Sequence, residues 1–397
     1  MDDFTFSAAK PVEKYHKIDI WMLISIIILW GLGIFTVYFT STGSKQVTEW
    51  RLVSHQLISS GIGFVFFILF AFLDMRIIKK LVPAIVILAL VLCVLTFIPF
   101  FSKEINGARR WIGFGNYTFQ PSELVKFAVV LFIANFFDKE SEKSDLEEKP
   151  SVLPCVLVLM GFTALVGAQN DFSTSLLIFL VGFLLFVVSG QKIKWFFPLA
   201  VASLPFIFLL IVLKPYRLDR IKGFLFRNNA DYHGTLNYQV NTARSAIIEG
   251  GFLGNGIGMG LEKTKNIPEI QADFIFAGWT EAMGFLGVVI YICVLAFFAW
   301  RGYRSALKNP GRFAAYGCFG CVSFIVIQSL INCMVVAGML PTTGITLPFF
   351  SLGGSSIMVT LAMSGFIVNA SSCREIPKKE VINDENEYES LISDFTE

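Results

Sequence analysis

The chain has 397 residues, 55% of them hydrophobic and 16% charged, with a formal net charge of +2 and a mean hydropathy of +0.66. That balance excludes a set of water-soluble domains, because the solvent this composition suits is lipid. It also gives no footing for a nucleic-acid partner, since no basic stripe with interleaved aromatics occurs.

A bilayer core about 30 Å thick needs about 20 apolar residues in helical form, because every backbone polar group must be paired within the segment. Charge-free runs predict spans at Ile20 to Ser44, Leu52 to Leu73, Leu81 to Ser102, Pro150 to Asn170, Phe172 to Gln191, Trp195 to Leu213 and Ala282 to Trp300. The first is too long for a signal-peptide core and no small-residue cleavage site follows it, so it reads as an uncleaved helix. Phe119 to Phe137 is expected to cross despite carrying Glu123 and Lys126. The run from Phe313 to Cys373 is too long for one span and is punctuated by Gly338, Pro341, Gly344 and Pro348, which predicts two helices joined by a turn. The fold class is therefore all-α, a polytopic membrane protein with ten transmembrane helices. With the N-terminus in the cytoplasm, inside segments hold 18 of the 32 basic residues, which orients the chain with both termini cytoplasmic.

Residues 1–18 form a cytoplasmic N-terminal segment, 19–373 the membrane domain, and 374–397 a cytoplasmic tail holding eight Asp or Glu. The loop from Asp138 to Pro150 and this tail read as solvated, acidic and partly disordered. Between helices 7 and 8 lies a large extracytoplasmic loop, 214–272, in which Tyr216 to Phe226 is amphipathic enough to lie on a membrane surface.

Four segments carry groups suited to chemistry. In Asn106-Gly-Ala-Arg-Arg-Trp-Ile-Gly, Arg109 and Arg110 are suited to a bidentate hold on phosphate, and interfacial anchoring explains one of them equally well. The same segment continues into Gln120-Pro-Ser-Glu-Leu-Val-Lys, where Pro121 opens a helix whose Glu123 and Lys126 share one face. A pair that only fixes helix packing and a pair that meets substrate stand level there. In Gln169-Asn-Asp-Phe-Ser-Thr-Ser, Asp171 taken alone reads as a helix cap.

The third segment ends the long loop, where Asp273 stands at the return to the membrane with Glu281 just beyond. Desolvation there favours a general base, and a helix N-terminus opposes it, so the net effect is open. The fourth, Leu340-Pro-Thr-Thr-Gly-Ile-Thr-Leu-Pro-Phe-Phe-Ser-Leu-Gly-Gly-Ser-Ser, is a hydroxyl-rich, non-helical turn at membrane depth that includes Thr343 and Ser355, and such backbone persists only when buried in protein or lining a cavity.

Other patterns are discounted. The glycine run Gly254 to Gly260 lacks the strand-to-helix context of a nucleotide loop. Cys318 and Cys321 have CxxC spacing inside a span, where packing outweighs redox or zinc work, and the seven cysteines imply no disulfide framework. His16, His55 and His233 form no metal-ligand spacing. No metal site is predicted from the residues.

Taken in order, Asn106-Gly-Ala-Arg-Arg-Trp, Gln120-Pro-Ser-Glu-Leu-x-Lys, Tyr238-Gln239, Asp273-Phe-Ile-Phe and the turn from Pro341 to Ser356 resemble the SEDS family of membrane glycosyltransferases, typified by FtsW, RodA and SpoVE, and are most like its division type. The chain departs from the family pattern at Asn170, Asn237, Gln271, Ala272, Ala282 and Leu352. The resemblance implies ten spanning helices and the polymerisation of lipid II into undecaprenyl-pyrophosphate-linked glycan, at the outer face of the cytoplasmic membrane and enriched at the division septum. It implies Asp273 as the catalytic base, with Arg109, Arg110, Glu123, Lys126, Asp171, Gln239, Glu281, Thr343 and Ser355 binding substrate. A divalent cation, Mg or Mn, is a candidate cofactor. The implied partners are a class B penicillin-binding protein, other division proteins and membrane lipid. Two other classes of function compete: a lipid II flippase, and a scaffold recruiting division proteins through its acidic tail.

Overall fold

A computed structural model describes residues 15–16, 18–41, 49–105, 108–115, 117–144, 152–190, 215–225, 235–257, 267 and 270–374. The chain is mostly helical. In order come α1 (Ile20–Ser41), α2 (Glu49–Phe72), α3 (Met75–Leu95), α4 (Pro121–Ser144), α5 (Leu153–Ala168), α6 (Phe172–Val188), α7 (Pro215–Leu225), α8 (Thr235–Gly250), α9 (Ile275–Leu307), α10 (Arg312–Val336) and α11 (Gly354–Ser371). By length and composition α1, α2, α3, α9, α10 and α11 can each cross a membrane, and α5 and α6 are shorter apolar helices. The predicted span Trp195 to Leu213 lies outside the described residues.

The helices sort by what surrounds them. α11 is buried along nearly its whole length, as is α4 from Pro121 to Phe137, while α2 and α3 leave Val65, Ile68, Phe72, Ile87 and Leu88 exposed. An apolar exterior around a buried centre is the arrangement expected where the outer solvent is lipid. α2 runs along α11, α4 packs between α3 and α10, and α9 packs on α1 and α10. Small residues permit the closest of these approaches. A Cβ at Gly365 would stand 2.2 Å from the Phe67 carbonyl oxygen, so only glycine lets α11 sit this close to α2.

Hydrogen bonds gather at the two ends of the bundle. At one end Arg301 pairs with Asp19, Lys79 pairs with Asp138, and Asn369 Nδ2 donates to the carbonyls of Phe70 and Leu73. There the short strands β1 (Tyr15–His16) and β5 (Cys373–Arg374) pair antiparallel, joining the two terminal regions. At the other end stand the start of α4, the start of α6 and the turn before α11.

Several elements differ from the sequence expectations, each for a physical reason. The expected all-α class gains a three-stranded antiparallel sheet, β2 (Ser102–Ile105), β3 (Ala108–Phe114) and β4 (Tyr117–Phe119). Gly115, at φ +61°, supplies the left-handed residue that reverses the chain between β3 and β4. Helix α3 begins at Met75 rather than Leu81, because Asp74 caps it by accepting from Arg76 N at 2.7 Å. Helix α4 continues through Asp138 to Ser144, where a loop was expected, and the Asp138 to Lys79 pair ties that last stretch to α3. The amphipathic segment of the long loop is helical, forming α7.

Helix α9 starts seven residues before the predicted Ala282 and breaks at Gly284, whose φ of +62° and ψ of −161° are not helical. The break leaves carbonyls without intrahelical donors. Asn255 N and Gly256 N fill them by donating to Glu281 O and Ala282 O, and in return Phe285 N and Leu286 N donate to Gly251 O and Phe252 O. Residues 251–256 form a backbone splint for this break.

Candidate active site

Pro121 sets the first turn of α4, and the chain before it brings Gln120 to the start of α6. Asp171 occupies the N-cap position of α6 without making a side-chain cap bond, contrary to the helix-cap reading. Its carboxylate turns instead to α4, accepting from Ser122 Oγ at 2.8 Å and from Gln120 Nε2 at 2.7 Å. Arg110 Nη1 stands 3.6 Å from Asp171 Oδ1 and its guanidinium lies 4.4 Å from the Trp111 ring centroid. Main-chain Gln120 N then donates to Ser355 Oγ at 2.8 Å, joining this corner to α11.

One turn into α4, Glu123 and Lys126 form an ion pair at 2.6 Å, with Lys126 only 1% exposed. A buried charge is tolerated where partners surround it. Lys126 Nζ also donates to Gln328 Oε1 on α10 at 2.8 Å. Gln328 Nε2 donates onward to the carbonyl of Thr346, whose hydroxyl meets Ser356 Oγ at 2.9 Å.

Asp273 is half-buried in the turn that leads into α9. Its main-chain oxygen accepts from Asn332 Nδ2 at 2.9 Å, and that same amide donates to Ile345 O at 2.7 Å. Its carboxylate lies over Gly344, where an added Cβ would come within 3.4 Å of Asp273 Oδ2. Gly344 holds φ +71°, a conformation that suits glycine.

The turn across 341–353 is irregular backbone inside the bundle, and its polar groups are met from several elements, as such a position requires. Gln56 Nε2 of α2 donates to Ser351 O at 3.0 Å, Leu352 N donates to Gln271 O at 2.7 Å, and Ser351 Oγ donates to Ala272 O. Arg220 of α7 donates to the carbonyls of Thr342 at 3.2 Å and Thr343 at 3.4 Å. Gly33 of α1 makes room for the Phe349 carbonyl, which a Cβ there would meet at 2.1 Å.

The structure thus brings Arg110, Asp171, Glu123, Lys126, Ser355, Thr343 and Asp273 around one turn. Glu281 is buried on α9. Arg109 stands apart, 3.0 Å from Glu104 with both side chains about half exposed, and Gln239 is half-buried on α8. Sequence reasoning overlooked Gln328, Asn332 and Arg220. The first two are amides four residues apart in a charge-free span, a signal open to reading. Cys318 and Cys321 are both fully buried, with Cys318 Sγ donating to Gly302 O at 3.6 Å. Among the described residues no group of three or more His, Cys, Asp or Glu side chains is arranged to hold a metal ion.

The family described as "Cell cycle protein" (FtsW/RodA/SpoVE) matches residues 20–376. The chain is 33% identical over 355 residues to the "Probable peptidoglycan glycosyltransferase FtsW" of Borreliella burgdorferi, a match covering 88% of this chain and 95% of the relative. It is 31% identical to "Stage V sporulation protein E" of Bacillus subtilis, across 89% of this chain and 96% of that one. Among solved structures it is similar, with a TM-score of 0.69 and 26% identity, to a chain described under "Structural coordination of polymerization and crosslinking by a peptidoglycan synthase complex", covering 89% of this chain and 97% of that chain. It shares the fold of the Thermus thermophilus rod shape determining protein RodA, with a TM-score of 0.65 and 23% identity, covering 89% of this chain and 96% of that chain.

Proposed function

The chain belongs to the FtsW/RodA/SpoVE family of cell cycle proteins, and on that premise we propose that it is a peptidoglycan glycosyltransferase of the FtsW type that polymerises lipid II in septal wall synthesis. The observation that carries the reading is the carboxylate of Asp273 lying over Gly344 of a buried, hydroxyl-rich turn whose other side is tied to the Glu123–Lys126 pair.

In the proposed reaction Asp273 takes the proton of the acceptor sugar hydroxyl. The oxygen lone pair forms a bond to the anomeric carbon of the donor with inversion, and the bond from that carbon to the lipid pyrophosphate breaks, its electron pair leaving with the phosphate. A sugar hydroxyl is a poor nucleophile, so a positioned base contributes about 10²- to 10⁴-fold. The leaving group needs cations. Lys126 is enclosed by Glu123 and Gln328 and acts on it through space in a low-dielectric interior. Arg109 acts by contact: its exposed pair with Glu104 is of a kind worth about 0 to 1 kcal/mol, so a phosphate oxygen can replace the carboxylate.

The proposed frame is ten spans, with residues 1–18 and 374–397 cytoplasmic, 19–373 as the membrane domain and 214–272 as an outer loop above the site. Pairing of β1 with β5 supports termini on one side. A class B penicillin-binding protein and other division proteins are the proposed partners, with enrichment at the septum. Reconstituted in liposomes with that transpeptidase, the protein should convert labelled lipid II to polymer. Headgroup translocation without polymer would instead favour a flippase.

A further inference from the structure

Helix α10 carries two amides, Gln328 and Asn332, four residues apart and therefore on one face. Both are almost wholly buried, at 2% and 1% exposure. Packing in an apolar bundle would be met by leucine, yet each amide directs its donors outside its own helix. Gln328 Nε2 donates to Thr346 O at 2.8 Å and Thr346 Oγ1 at 3.2 Å, while its Oε1 accepts from Lys126 at 2.8 Å. Asn332 Nδ2 bridges Asp273 O at 2.9 Å and Ile345 O at 2.7 Å. Asn332 Oδ1 is buried with no hydrogen bond among the described residues, so the residue is there for its donors.

Ile345 and Thr346 are consecutive. The main chain of Asp273 and the side chain of Lys126 are thus fastened to adjacent residues of one irregular turn, through two side chains one helical turn apart. We infer that Gln328 and Asn332 are positioning residues that fix the placement of Asp273 relative to the Glu123–Lys126 pair during glycosyl transfer. The inference rests on the reaction proposed above. Neither amide touches substrate. The turn has no regular ladder of its own, and α10 supplies the rigid reference that holds it. Misplacing a reacting group by about 1 Å costs about 100-fold in rate.

Steady-state kinetics of lipid II polymerisation by the protein with its transpeptidase partner tests this, using near-isosteric Gln328→Glu and Asn332→Asp and their double variant. Gln328→Glu keeps the acceptor for Lys126 and loses the donor to Thr346. Asn332→Asp, ionised, loses both donors. Each should lower kcat about 10- to 100-fold with KM within about threefold. Because both act on one turn, the double variant should fall no more than about threefold below the worse single. Thermal unfolding in detergent reports folding, and if Asn332→Asp does not fold, Asn332→Leu removes both donors at similar size without a new charge. Unchanged kcat in the singles, or losses that multiply in the double, would overturn the inference. Asp273→Asn run in parallel separates the two claims. If it polymerises like the parent, the reaction reading falls and this inference with it; if it is inactive while the amide variants behave like the parent, only this inference falls.

Discussion

Arg109 and Arg110 are neighbours on β3, and a strand sends neighbouring side chains to opposite faces. Arg110 turns inward to Asp171 and Arg109 outward to Glu104. Their substitutions should therefore part company. Arg110→Ala leaves a buried carboxylate short of its cation and should cost about 1 to 3 kcal/mol in chemical unfolding, whereas Arg109→Ala should change stability by less than about 0.5 kcal/mol and instead raise KM for lipid II. Equal effects of the two on stability would contradict the assignment. The Glu123–Lys126 pair was legible, because i,i+3 spacing on a helix that opens with proline leaves little freedom. Taken alone, Asp171 reads as a cap, because its donors Ser122 and Gln120 lie 49 and 51 residues away. At 271 and 272 the departures from the family pattern sit where the main-chain carbonyls do the holding. Asn170, another of those departures, takes φ +63°, a left-handed conformation that asparagine adopts more readily than most residues.

Whole elements were easier to read than their ends. Long apolar runs identify the helices whatever the tertiary context, but Asp74 extends α3 and the Gly284 break shapes α9 through contacts that hydropathy does not register. The small sheet was missed because seven residues of β3 are too few for a confident period against a background of spans. Gly254 and Gly284 interlock with positive φ, and a Cβ at either would stand 2.2 to 2.3 Å from the other segment's backbone. Gly254→Ala should lower the thermal unfolding midpoint clearly, since the left-handed conformation alone costs about 1 to 2 kcal/mol. Gly31→Ala, where nothing lies within 4 Å of the added carbon, is the control and should leave the midpoint nearly unchanged. A Gly254→Ala protein as stable as the parent would mean that the splint across the α9 break contributes nothing.

At the scale of the molecule, polar chemistry is concentrated at one end of an apolar bundle and the paired termini at the other. Composition made the lipid solvent legible; the convergence of separated segments on one turn was not, because it depends on contacts spanning up to 295 residues. Protease-sensitive tags on both termini should be cut in inverted membrane vesicles and protected in right-side-out ones, and opposite accessibility of the two tags would break the proposed topology. The central claim is that one half-buried carboxylate activates an alcohol beside the fixed Glu123–Lys126 ion pair. It is tested most directly by the polymerisation rate of Asp273→Asn on labelled lipid II, in the protein purified with its transpeptidase partner and shown by thermal unfolding to be folded. The account predicts a loss of about 10²- to 10⁴-fold in kcat with little change in KM, and a variant that polymerises at the parent rate would contradict it.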